Sequence, residues 1–129
     1  MSVRLGNCIL CEHIAPGLGN KTSLIGVYAG DILVGKFPAN LRLAVYIEHI
    51  PNDSERYEMA FEIKVGDESV GKGTAEITDA VPNEAALLVL PGINLTTQKE
   101  GRFRVLISIN GEPPITAIDK AIKDGAVND

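Results

Sequence analysis

Apolar and polar residues alternate along much of this chain. In Tyr57-Glu58-Met59-Ala60-Phe61-Glu62-Ile63-Lys64-Val65 the large apolar side chains take the odd positions, and Glu58, Glu62 and Lys64 sit among the even ones. An extended strand turns successive side chains to opposite faces, so this run buries one face and wets the other. Leu41 to Ile50 repeats the pattern, with Leu41, Leu43, Val45 and Ile47 inward and Arg42, Tyr46 and Glu48 outward. Arg102 to Ile109 does so again, with Phe103, Val105, Ile107 and Ile109 on one face. Half-buried strands of this kind belong to antiparallel sheets with one solvated side.

Turn signals divide the rest. Leu5 to Ile14 reads as a first strand, with Cys8, Leu10 and Ile14 on one face and Asn7, Ile9, Cys11 and His13 on the other. Ala15-Pro16-Gly17-Leu18-Gly19-Asn20 is dense in breakers. Ser23 to Val34 reads as one strand, rich in β-branched residues, and Phe37-Pro38 ends it. Val65 to Ser69 has the Gly/Asp chemistry of a hairpin leading into Val70 to Thr78. Ala85 to Leu90 is continuously apolar, which predicts a strand buried on both faces, and Pro91-Gly92 ends it. Asn110-Gly111 predicts a tight hairpin, because both central positions of that turn need positive φ. Pro113 and Pro114 cannot donate ladder hydrogen bonds, so the returning strand is expected at an edge or leaving the sheet early. The spacing of Ile115, Ile118 and Ile122 predicts a short C-terminal helix against the sheet.

Seven or eight strands set apart by turns predict an all-β fold, an antiparallel β-sandwich of immunoglobulin-like type. A single sheet would leave one side of Ala85 to Leu90 exposed; a closed barrel is the alternative. The expected organisation is one sandwich domain over residues 1–124 and a flexible tail over 125–129.

Composition adds constraints. At 129 residues the chain buries enough surface to fold without a metal or a disulfide. Its net charge of −5, from 12 basic against 17 acidic residues, disfavours a phosphate backbone as partner. No stretch approaches the ~20 apolar residues of a membrane-spanning helix. The N-terminus has no basic region followed by a long apolar run. The expectation is a soluble, cytoplasmic protein with free thiols, no cofactor, and neither nucleic acid nor membrane as partner.

Candidate chemistry is sparse. Cys8-Ile9-Leu10-Cys11 has redox spacing but lies in a strand, where residues three apart face opposite ways. The plainer reading is one core thiol, Cys8, and one outward thiol, Cys11. Cys11 and His13 share a face, and His49 from a neighbouring strand would complete a mixed zinc site. That makes a small metal-dependent enzyme one alternative. The loop before Lys21 lacks the glycines of a phosphate-cradling loop, and no Gly-x-Ser-x-Gly elbow occurs. Tyr46 is the exposed aromatic best suited to anchor a protein partner. Lys21, Arg102 and Arg104 are further candidate contacts, each otherwise an ordinary solvated cation.

Three segments carry a resemblance: Cys11-Glu12, then Lys21-Thr22-Ser23-Leu24-Ile25-Gly26-Val27-Tyr28, then Phe37-Pro38. Over roughly residues 8 to 50 the chain resembles a family of short bacterial and phage all-β proteins built on a domain of unknown function. The family shows Gly before the Lys, where this chain has Asn20. The resemblance implies a compact β-sandwich of mobile-element origin and transfers no catalytic residue. With catalytic constellations missing, the expected function is a non-enzymatic protein-binding or adaptor module acting through an edge strand or an apical loop. The loops expected to present contacts are Ala15 to Asn20, Asp31 to Asn40 and Pro91 to Gly101. A phage structural component that self-associates is the other alternative.

Overall fold

The computed structural model describes residues 3–19, 21–53 and 56–125. Within them the chain forms nine strands and no helix: β1 (Val3–Pro16), β2 (Thr22–Val27), β3 (Ile32–Val34), β4 (Ala39–Pro51), β5 (Tyr57–Val65), β6 (Glu68–Ile77), β7 (Ala86–Thr97), β8 (Gly101–Ile109) and β9 (Ile115–Asp124). They make a four-stranded sheet in the order β2-β1-β4-β7 and a five-stranded sheet in the order β3-β9-β8-β5-β6. Neighbours are antiparallel except β3 and β9, which run parallel.

The three alternating runs become interior strands. β4 turns Leu41, Leu43, Val45 and Ile47 into the space between the sheets. From the other sheet β5 adds Tyr57, Met59 and Ile63, and β8 adds Phe103, Val105, Ile107 and Ile109. Each such side chain removed from water contributes about 1.5–3 kcal/mol, which makes this shared layer the main source of stability. The Asn110-Gly111 turn forms as its sequence dictates: φ is 52° at Asn110 and 75° at Gly111, and Glu112 N–H donates to Ile109 O at 3.0 Å.

Several expectations are corrected. Ser23 to Val34 is two strands in different sheets: β2 pairs with β1, and β3 crosses to run beside β9. The segment 115–124 is strand, not helix. The register slips by one residue between Val105 and Leu106 of β8 and their β9 partners Ile118 and Thr116. That slip brings Ile115 and Ile118, three apart, onto one face, so a bulged strand mimics the helical period. β9 lies between β3 and β8, and Pro113 and Pro114 fall in the connection before it rather than on an edge. Ala85 to Leu90 is not covered on both sides: from Ala86 it is the first half of β7, an edge strand, and Leu87 is 44% exposed. The expected loop Pro91 to Gly101 is largely strand, because β7 runs on to Thr97 through an irregular pairing at Leu43 and Val45. Of the expected tail, 126–129 lie outside the described residues, and Gly125 N–H donates to Val34 O at 2.8 Å.

Candidate functional site

The outward face of the four-stranded sheet follows from the register. Ile9 of β1, Tyr46 of β4 and Val89 of β7 stand side by side across three strands. One step along, Val27, Cys11 and Ala44 form a second row. Ile25 pairs beside His13, and Leu87 beside Glu48. Ile25 is 51% exposed and Val27 50%. Small side chains at the centre of this face, Cys11 and Ala44, are covered by their larger neighbours and reach no solvent. The result is an apolar band bordered by Asn7, Glu48, Arg42 and His13.

Tyr46 sits half-buried in the middle of that band. Its hydroxyl donates to Glu48 Oε2 at 3.2 Å, while Glu48 Oε1 accepts from the backbone and side-chain N–H groups of Asn7 at 3.0 and 3.1 Å. Burial first, then the Glu48 carboxylate, pushes the Tyr46 phenol up, so it stays a neutral donor. A rigid aromatic with one satisfied polar tip suits a protein interface. Gly26, at φ 70°, lets β2 close over Glu12; a Cβ there would run into the Glu12 carboxylate.

The remaining candidates lie elsewhere. Lys21 is exposed in the β1–β2 turn, where its carbonyl accepts from Gly17 N–H at 2.7 Å. Arg102 and Arg104 project from β8 on the outward face of the other sheet. Arg102 pairs with Asp119 at 2.5 Å, and Arg104 Nη2 donates to Gly66 O at 2.8 Å. The four candidate contacts therefore share no patch.

Cys11 faces outward as expected, and its neighbours cover it fully; its Sγ lies 3.5 Å from His13 O and 3.7 Å from Ala44 O. Cys8 is half-buried against the core. Burial pushes both thiols up, so neither is a ready thiolate. Both cysteines are free.

His49 lies on the opposite side of the sheet from Cys11 and His13. It is completely buried, and its Nδ1 meets the Tyr57 hydroxyl of the facing sheet at 2.5 Å, with the rings edge to face. Burial pushes the imidazole below its ordinary value, opposed in part by the backbone of Leu87. Its Nε2 makes no hydrogen bond of normal geometry. The three candidate metal ligands are thus not brought together. Among the described residues no group of three or more His, Cys, Asp or Glu side chains converges to hold an ion.

The five-stranded sheet has a shallow cleft of about 320 Å³ on its outward face. Ala60, Glu62, Lys72, Leu106, Ser108 and Pro114 are among the residues that line it. It holds no histidine or cysteine. The alternation of β4 pointed to Tyr46 and that of β1 put Ile9 on the face of Cys11, but Leu87 and Val89 were missed as surface. The available signal was the absence of charge from Ala85 to Gln98, which also fits a buried strand. No protein-family model matches the chain, and no curated protein matches it.

Proposed function

We propose that this protein is a non-enzymatic binding module that takes a protein partner on the outward face of its four-stranded sheet, with Tyr46 as the anchor. One observation carries the reading: Ile9, Tyr46, Val89, Val27, Ile25 and Leu87 form an apolar band on a face that antiparallel sandwiches ordinarily give to water. The resemblance of residues 8 to 50 supports a bacterial or phage origin. The order β9-β8-β5-β6 supports an immunoglobulin-like reading of the larger sheet, since variable-type domains extend their G-F-C sheet in the same way. The two free cysteines suit a reducing compartment.

Affinity capture of tagged protein from host lysate, with and without phage infection, tests this reading. The expected result is a stoichiometric partner that is lost with Tyr46→Ala or Val27→Lys and kept with Lys72→Glu. Capture indifferent to Tyr46 and Val27 overturns it. A second reading, a component that self-assembles, draws on one observation: both edges of the four-stranded sheet, β2 and β7, carry no charged side chain.

A further inference from the structure

The two sheets of the described residues have four edges, and they are not protected alike. β6 carries Glu68, Lys72 and Glu76 along its length. β3 is three residues long. β2 is short and is bent by positive φ at Gly26. β7 has none of these charges. It lies in Ala85 to Gln98, the longest run of the sequence free of Asp, Glu, Lys and Arg. An edge strand offers a row of unpaired backbone groups, and natural proteins block such rows with charge, proline or bulges. β7 has a block only at its middle, where Pro91 lacks an N–H and Gly92 sits at φ 68°. The segment Ala86 to Leu90 is left open.

We infer that Ala86 to Leu90 of β7 pairs antiparallel with the same segment of a second copy, about a two-fold axis at Leu88, joining two four-stranded sheets into one. This rests on the second reading above, self-assembly through an uncharged edge of that sheet, and names the strand and register it uses. Charge does not forbid this occupant. The net charge of −5 works against contact between copies, and β7 brings no charged side chain of its own to the contact. The segment also complements itself. About Leu88, Leu87 faces Val89 of the second copy and Ala86 faces its Leu90, so no charge is opposed in either direction. Outside the ladder, the row Ile9, Tyr46 and Val89 runs on into Leu87 of the second copy, making the apolar band continuous across the axis.

Sedimentation velocity of the full chain over a concentration series tests the inference. The expected result is a monomer–dimer equilibrium. Leu87→Lys with Val89→Lys places four cations beside the axis and raises the dissociation constant by roughly tenfold or more, with partial recovery in high salt. Val70→Lys on β6 leaves it unchanged. Circular dichroism checks that the double variant is folded. If it is not, amide exchange on the natural chain replaces it: Ala86 to Leu90 amides slow as concentration rises, and β6 amides do not. A monomer at every concentration, a dimer indifferent to the two lysines, growth beyond the dimer, or concentration-independent exchange overturns the inference. A monomer that still captures a host protein through Tyr46 overturns self-pairing and leaves the binding reading standing. A dimer that captures nothing supports self-pairing and removes the foreign partner.

Discussion

Tyr46 and Glu62 hold equivalent places, each on the outward side of an interior strand. Tyr46 has Ile9 and Val89 as its lateral neighbours, and Glu62 has Lys72 and Leu106. Around Glu62 charged side chains, Glu58, Lys64, Arg104, and Arg102 paired with Asp119, surround the shallow cleft lined by Ala60 and Leu106. Around Tyr46 the face is apolar from β2 to β7. The same interior lies beneath both, so the difference does not come from what holds the sandwich together. Alternation decides which side chains point inward. Whether the outward side is wet is a separate choice, and the four-stranded sheet departs from the usual one.

Substitutions on the two sides of one sheet sharpen that contrast most. Leu43 faces inward and is fully buried, so Leu43→Ala lowers unfolding free energy by about 2–5 kcal/mol. Val27→Ala, on the outward face, changes it by less than about 1 kcal/mol. Urea denaturation of both variants checks this; comparable losses would make the outer band part of the structural core.

The inter-sheet contact comes next. Tyr57→Phe leaves His49 Nδ1 without its partner and costs about 1–3 kcal/mol. His49 also sets a pH dependence. Its folded pKa is depressed from 6.5, so below that value the unfolded chain binds the extra proton. Stability is therefore level above about pH 6.5 and falls as the pH drops below it. Thermal unfolding between pH 7.5 and 5 detects the slope. His49→Gln, neutral throughout, flattens it relative to the natural chain. An unchanged slope assigns the effect to other groups.

The smallest effect belongs to the ionic face. Both members of the Arg102–Asp119 pair are well exposed, so Arg102→Ala shifts stability by only about 0.5 kcal/mol, less in high salt. A larger, salt-insensitive loss would mean that this face is structural in its own right.

The legible parts of the fold were those where one face is apolar and the other charged. β4, β5 and β8 have that form, and the turns at Gly66 and Asn110-Gly111 carry their own backbone chemistry. Three features misled for physical reasons. A register slip in β9 converted an odd spacing into a shared face. A run without charge gave no hint whether both its sides were covered, and β7 has one open. Gly30 and Asp31 mark a crossing between sheets inside what reads as one β-branched strand. The candidate site was legible at Tyr46 and, by alternation, at Ile9. Its neighbours come from three strands distant in sequence, and only the register joins them.

The most direct test of the outward-face account places a photo-crosslinking residue at position 87 in one chain and at position 72 in another, and irradiates both in host lysate. Discrete adducts, to a partner or to a second copy, are expected from position 87 and none from position 72. Equal adduct yields from the two positions, or adducts from position 72 alone, would contradict it.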